Sequence, residues 1–282
     1  MKVNTFIVGA PKTGTTSLYY YLNQHTNVCM SSIKEPNFFS AKEVNSLFYK
    51  SQIVDEINEY HKLFSQNKKQ IIGEASVSYL FFDEVPNRIY KYNPKAKIII
   101  LLRNPIERAL SHYLMDFRLG FCSENFEDII AQPEIFPQYY QQYLELGNYF
   151  LQLKRYLNVF NENQLSIVFY DDLKSDSQKV MKHIFSFLEI EFQHLDYSIQ
   201  NSFLSPSNIF VSELYKFNSL RKIVKSLFPE PFLSLVKSIF FSNNSKPTFS
   251  DSIIKQLNAY YKSDIVELEK LLNKDLSKWD LK

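Results

Sequence analysis

Short apolar runs of the kind that form buried strands recur along the chain, and a stretch with helical periodicity follows each of them. The runs lie at Thr5 to Val8, Ile71 to Gly73, Lys97 to Leu102 and Leu165 to Phe169. Continuous apolar runs suit parallel strands that helices cover on both faces. The pattern therefore predicts an α/β fold of three layers, with a central parallel sheet flanked by helices.

The helical segments carry their own start and stop signals. Residues 104–107, Asn-Pro-Ile-Glu, combine a capping side chain, a proline at the first helical position and a glutamate three residues after the cap. We expect this helix to run towards Phe117 and to end near Gly120. Further helices are predicted over 149–160, 177–188 and 250–272. No repeat or linker-like stretch divides the chain, so we expect one domain over residues 1–282.

Composition and charge limit the classes of function. The 282 residues are 45% hydrophobic and 22% charged, which is ordinary for a globular protein. The 32 basic and 30 acidic residues nearly cancel. No broad basic surface is therefore expected, which argues against a nucleic-acid partner, and an anionic ligand needs a local site.

The chain also carries signals about its compartment. Cys29 and Cys122 have neither the spacing of metal ligands nor that of a disulfide framework, which favours a reducing environment. The first strand begins near Asn4, before which a signal peptide has no room. The apolar stretch Leu227 to Phe241 is interrupted by prolines and charges and is too short to span a bilayer. We expect a cytoplasmic protein without a transmembrane segment.

A strand-to-helix turn with phosphate-binding chemistry lies near the start of the chain. Residues 7–18 read Ile-Val-Gly-Ala-Pro-Lys-Thr-Gly-Thr-Thr-Ser-Leu, and we expect a hydroxyl-capped helix to start near Thr15. Backbone N–H groups and the positive end of that helix point at one place, where Lys12 adds a full charge. The spacing Gly9-x-x-x-x-Gly14 resembles a Walker A loop, but Thr15 stands where that motif requires lysine. ATP is therefore not the favoured ligand.

A second group of polar residues follows the apolar run over 97–102. Arg103 ends the predicted strand as a helix opens, and Ser111 lies about two turns into that helix. In a P-loop NTPase such a strand more usually ends in an acid that helps to hold magnesium; the comparable acid here is Asp171, after another strand. Arg108 is interpreted as an exposed helix residue.

Two segments resemble the sulfotransferases that use 3′-phosphoadenosine 5′-phosphosulfate (PAPS). Residues 11–18 resemble their 5′-phosphosulfate loop, and Leu-Arg-Asn-Pro-x-x-Arg-Ala-x-Ser over 102–111 resembles their 3′-phosphate segment. The resemblance, which extends over nearly the whole chain, implies a P-loop-like fold. The donor-binding residues that it implies are Pro11, Lys12, Thr13, Gly14, Thr15, Thr16, Ser17, Arg103 and Ser111. Asn201 and Ser202 are added because they lie where family members carry a loop over the 3′-phosphate.

The segment Lys-Glu-Pro-Asn-Phe-Phe over 34–39 resembles the heparan-sulfate sulfotransferases. In those enzymes the glutamate of Lys-Glu-x-x-Phe-Phe is the base that deprotonates the acceptor. The resemblance thus implies Glu35 as base and Lys12 as the group that stabilises charge on the leaving oxygen. Asn37 stands where those enzymes frequently carry histidine. Ala75, next to Glu74, stands where their acceptor-side segment carries lysine.

The resemblance implies that a sulfuryl group moves by in-line displacement from PAPS to a hydroxyl or amine of a carbohydrate-type acceptor. The acceptor is a glycan or a small molecule, the product is 3′-phosphoadenosine 5′-phosphate (PAP), and no metal is expected. One alternative is a P-loop nucleotide or sugar kinase that uses ATP and magnesium. The other is a catalytically silent nucleotide-binding protein. The oligomeric state is not predicted.

Overall fold

The protein is described as a computed structural model over residues 2–45, 53–64, 69–197, 205–206, 241–242 and 249–280. Five parallel strands form its main sheet in the order β2-β3-β1-β4-β5. They are β1 (Thr5–Gly9), β2 (Val28–Met30), β3 (Ile71–Ala75), β4 (Lys97–Leu102) and β5 (Leu165–Phe169). The four predicted strands are confirmed. Strand β2 escaped the prediction because three residues are too few for a recognisable apolar run.

Helices connect and cover these strands. They are α1 (Thr15–Asn23), α2 (Ala41–Val44), α3 (Ile57–Lys62), α4 (Val85–Tyr92), α5 (Pro105–Leu119), α6 (Phe126–Ala131), α7 (Pro137–Tyr143), α8 (Tyr149–Val159), α9 (Tyr170–Ser175), α10 (Ser177–Leu188) and α11 (Asp251–Leu272). Short 3-10 turns lie at Phe38–Ser40, Val77–Leu80, Glu145–Gly147, Glu162–Gln164 and Ser277–Trp279. Two-residue strands, β6 (Ser205–Pro206) and β7 (Phe241–Ser242), pair antiparallel.

The ends of α5 follow the local rules from which they were predicted. The side chain of Asn104 accepts hydrogen bonds from the backbone N–H groups of Ile106 and Glu107 at 2.9 and 3.4 Å. Gly120 ends the helix with φ of +71°, a conformation that glycine adopts without strain. Helices α8, α10 and α11 lie within a residue or two of their predicted bounds.

The sheet is buried on both faces because alternate strand residues point to opposite sides. Phe6 and Ile98 pack on one face in a cluster that includes Trp279 and residues of α4, α8 and α11. Ile7 and Ile99 pack on the other face with residues of α1 and α10. This arrangement confirms the three-layer α/β fold.

Strand β1 is the point at which the chain changes direction across the sheet. The next two strands lie on one side of β1, and β4 and β5 lie on the other. In parallel α/β sheets ligands bind beside the carboxyl ends of the strands at such a switch point. The segments that follow the strands therefore meet at one edge of the sheet.

Arg108 corrects an expectation from the sequence. It is completely buried rather than exposed, because α7, a helix that the sequence did not predict, covers this side of α5. The guanidinium donates to the backbone carbonyls of Gln142, at 3.4 Å, and Tyr143. Its Nη1 atom also lies 3.3 Å from Nδ1 of His112. Arg108 thus joins α5 to the end of α7.

Candidate active site

The loop between β1 and α1 is shaped by two glycines. Gly14 has φ of +89°, and a Cβ there would lie 2.9 Å from Cδ2 of Leu173. Gly9 has φ of +146°, and its Cβ would lie 2.9 Å from Cβ of Leu80. Both positions therefore require glycine. Gly14 is also the N-cap of α1 and no side chain caps this helix, so the expected hydroxyl cap was wrong.

The first turn of α1 provides the donors that the sequence predicted. The N–H groups at a helix start have no acceptor within the helix, and the helix dipole makes this end positive. Thr15, Thr16 and Ser17 line the adjacent cleft. The hydroxyl of Thr13 instead donates to the carbonyl of Ala10 at 2.6 Å, and Thr13 is fully buried. Thr13 therefore supports the loop from within, and its side chain is not among the cleft-lining groups.

A single cleft of about 770 Å³ brings most of the predicted residues together. It lies at the carboxyl edge of the sheet. The predicted residues that line it are Pro11, Lys12, Gly14, Thr15, Thr16, Ser17, Glu35, Arg103 and Ser111. Asn201 and Ser202 lie outside the described residues. The donor loop, the proposed 3′-phosphate residues and the candidate base thus share one space.

Lys12 lies in a strongly electropositive part of this cleft. Its Nζ atom is 3.2 Å from Sδ of Met115, a weak acceptor. Burial, followed by the nearby charge of Arg118, lowers the pKa of Lys12 from 10.5 to about 8, although Asp116 opposes this change. An anion beside Nζ would offset the effect of this positive charge on the pKa of Lys12. The site therefore fits a phosphate or sulfate group.

Arg103 is held at the edge of the loop by three partners. Its Nε and Nη2 atoms donate to Oε2 of Glu107 at 3.1 and 2.9 Å, and Nη1 donates to the carbonyl of Lys12 at 3.3 Å. The guanidinium also lies 4.5 Å from the ring centroid of Tyr170. Its side chain is 17% exposed. Arg103 is therefore a fixed cation at the cleft rather than a loose surface residue.

Glu35 is presented to the cleft by an unusual backbone. Its φ is +63°, and its N–H donates to the carbonyl of Ala75 at the end of β3, at 2.8 Å. The carboxylate contacts Nζ of Lys34 and is 37% exposed. Glu35 is therefore accessible to a molecule that enters the cleft.

Several cleft residues were not identified from the sequence. Met115 follows Ser111, and Asp116 follows His112, by one turn of α5, so the four residues lie on one face of the helix. That helical spacing was the sequence signal from which they could have been predicted as cleft residues. Burial raises the pKa of Asp116 to about 6, while the hydrogen bond from Tyr143, 3.0 Å long, acts in the opposite sense.

The acid that kept the kinase alternative open is not among the cleft-lining residues. Asp171 is exposed in the first turn of α9 and does not line the cleft. Within the described residues, no group of three or more histidine, cysteine or acidic side chains is arranged to hold a metal ion. Nor is any helix in this part of the chain long and apolar enough to cross a membrane.

Curated proteins that are much longer than this chain are similar to it in sequence. Carbohydrate sulfotransferase 15 of Mus musculus is 27% identical over 242 residues, which cover 66% of this chain and 43% of the relative. The bifunctional heparan sulfate N-deacetylase/N-sulfotransferase 4 of Mus musculus is 28% identical over 282 residues, covering 95% of this chain and 30% of that protein. The chain therefore spans less than half the length of these relatives.

A solved structure and a family model extend the likeness to the whole fold. The crystal structure of a sulfotransferase from Alicyclobacillus acidocaldarius matches with a TM-score of 0.77 and 27% identity, and each chain is covered completely. The sequence model of the sulfotransferase domain family matches residues 2–271 of this chain. The family and the P-loop-like fold expected from the sequence are thereby confirmed, and the matches support the expected enzyme class. The chain belongs to the sulfotransferase domain family.

Proposed function

We propose that this protein transfers the sulfuryl group of PAPS to a hydroxyl or amine of a carbohydrate-type acceptor. One observation carries the proposal: the loop around Lys12, the cation Arg103 and the carboxylate of Glu35 line the same cleft. An anion site and an accessible base are the two parts that sulfuryl transfer requires. The names of the relatives, a carbohydrate sulfotransferase and a heparan sulfate N-sulfotransferase, support the acceptor class.

The donor would be held at its two phosphate groups. Backbone N–H groups from Thr13 to Thr16 and the hydroxyls of Thr15, Thr16 and Ser17 suit the 5′ side. Arg103 and Ser111 suit the 3′-phosphate, because a guanidinium and a hydroxyl donate to phosphate oxygens in a fixed geometry. PAPS supplies a sulfuryl group on a good leaving group.

Two side chains take part in the reaction, each in a separate role. Glu35 accepts the proton of the acceptor as its oxygen or nitrogen forms the new bond to sulfur. Lys12 stabilises the negative charge that develops on the bridging oxygen as the bond from sulfur to that oxygen breaks, and PAP leaves. General-base assistance of this kind contributes about a hundredfold to ten-thousandfold.

The location and organisation of the protein belong to the proposal as well. A cytoplasmic location and one domain over residues 1–282 stay predictions, and so does the absence of a nucleic-acid partner. The kinase alternative is not favoured by the site, since Asp171 is exposed and does not line the cleft.

Nucleotide selectivity tests the donor assignment. Hydrogen bonds to a charged group are worth about 1.5 to 3 kcal/mol each, so PAP should bind at least about tenfold more tightly than AMP, without magnesium. Arg103→Ala should remove most of this preference and leave AMP affinity nearly unchanged. Arg88→Ala is the matched control, because Arg88 pairs with Glu43 at 2.7 Å and does not line the cleft.

Calorimetric titration of PAP, AMP and ATP with magnesium into the three proteins decides between the alternatives. Equal affinity for PAP and AMP, or tighter magnesium-dependent binding of ATP, would overturn the assignment and favour a kinase. Labelled PAPS with a panel of polysaccharides and oligosaccharides then tests the acceptor. Label that stays on the donor with every glycan counts against the carbohydrate class.

A further inference from the structure

A buried carboxylate lies beneath the segment that presents Glu35. Glu74, on β3, is completely inaccessible to solvent. Its Oε1 accepts the hydroxyls of Tyr60 and Tyr79 at 2.7 and 2.8 Å, and its Oε2 accepts that of Ser76 at 2.9 Å. We call these four residues the Glu74 cluster. A buried charge is costly unless it is hydrogen-bonded, and here three donors satisfy it.

Two hydroxyls of the Glu74 cluster also hold the backbone that follows Glu35. The N–H of Asn37 donates to Oγ of Ser76 at 3.1 Å, and the N–H of Phe39 donates to the hydroxyl oxygen of Tyr79, also at 3.1 Å. A hydroxyl has one proton and two lone pairs. Because each proton is directed at Glu74, lone pairs are left to accept these N–H groups. Glu74 thereby fixes the orientation of both hydroxyls.

The backbone of this segment, residues 35–39, includes conformations that its surroundings must stabilise. Glu35 and Asn37 have φ of +63° and +54°, a region that residues other than glycine rarely adopt. Such conformations persist only where the surroundings over-determine them. Ser78, two residues after Ser76, adds a further contact, since its Oγ donates to Oδ1 of Asn37 at 2.7 Å.

We propose that Glu74 is a positioning residue for Glu35, acting through the hydroxyls of Ser76 and Tyr79 on the backbone at Asn37 and Phe39. This inference rests on the proposed role of Glu35 as the base. Glu74 does not line the cleft, so it touches neither donor nor acceptor. Misplacement of a reacting group by about 1 Å can cost on the order of a hundredfold in rate, which sets the scale of the expected effect.

Tyr60 and Tyr79 offer a matched pair of variants. Both are fully buried and donate to the same carboxylate oxygen, but only Tyr79 also accepts a backbone N–H, that of Phe39. Tyr79→Phe should lower kcat by about tenfold to a hundredfold, with the Kd for PAP within about twofold. Tyr60→Phe should leave kcat within about twofold. A role confined to stabilising the core predicts equal effects from the two substitutions.

Two further measurements keep the test decisive. Hydrogen exchange of the peptide over 35–39 should quicken in Tyr79→Phe and not in Tyr60→Phe. Ser76→Ala, which removes the acceptor of the Asn37 N–H, should repeat the loss of kcat and serves if Tyr79→Phe does not fold. Turnover is followed with labelled PAPS and the glycan of the panel that accepts most label.

A double-substitution cycle shows whether the Glu74 cluster acts through Glu35. In a Glu35→Gln background, Tyr79→Phe should change kcat by less than about twofold. Equal effects of the two tyrosine variants, or a Tyr79→Phe effect that persists without Glu35, would overturn the positioning role alone. A Glu35→Gln variant with parental kcat would overturn the base as well, and a lack of PAP preference would refute the donor assignment.

Discussion

Glu74→Gln should change how the stability of the protein depends on pH. Burial raises the pKa of Glu74 from its usual 4.5 to about 7, although the hydrogen bonds from Tyr60, Tyr79 and Ser76 act in the opposite direction. The folded protein therefore binds this proton more tightly than the unfolded chain does. The resulting stabilisation is complete below pH 4.5 and is lost as the pH rises through about 7.

The size of this effect follows from the interval between the two pKa values. At about 1.4 kcal/mol for each pH unit, an interval of about 2.5 units corresponds to about 3.5 kcal/mol of unfolding free energy at a pH well below 4.5. Glutamine has nearly the same shape and no proton to lose in this range. The advantage of the parent over Glu74→Gln should therefore shrink by about 3 kcal/mol between pH 4.5 and pH 8.

Denaturant unfolding at several pH values measures this difference. The single tryptophan, Trp279, is buried against Phe169 and Tyr149, so its fluorescence reports loss of the core. Asp116, whose pKa is raised to about 6, titrates in the same range but is present in both proteins and cancels in the comparison. A stability difference that stays constant from pH 4.5 to pH 8 would refute the reasoning about Glu74.

Two further predictions concern the chemistry of the cleft. Glu35→Gln should retain PAP affinity and lose at least about a hundredfold in kcat, because the shape is kept and the base is removed; nearly parental turnover would mean that another group is the base. The pKa of Lys12 near 8 predicts that kcat/KM for PAPS falls as the pH rises through about 8. Lys12→Arg should move that fall to higher pH, and an unchanged inflection would show that Lys12 is not its source.

Local sequence was sufficient for the parts of the fold that local forces decide. Buried strands such as β4 and β1 are recognisable because apolar runs and the turns behind them stand next to each other in the chain. The cap at Asn104 could be predicted for the same reason. The cleft residues Lys12 and Arg103 followed from their place at strand ends, which the topology then brings to one edge.

Features that depend on distant contacts could not be predicted in this way. Arg108 is buried only because α7, more than thirty residues further along, supplies carbonyl acceptors. The role of Glu74 depends on the hydroxyl of Tyr60, on another element, and on a loop some forty residues earlier. A glutamate within an apolar strand gives no sign in the sequence of the partners that make its burial tolerable.

Helix α5 sets the spacing between residues along the cleft. Arg103 precedes its first turn, Ser111 lies midway, and Met115, next to Nζ of Lys12, follows one turn later. The helical rise of about 1.5 Å per residue therefore fixes the spacing between these positions. Deletion of one residue between Ser111 and Met115 would turn Met115 and the residues after it by about 100° away from Lys12. The register of α5 thus fixes the position of Met115, beside Lys12, relative to Arg103 and Ser111 on the other part of the cleft.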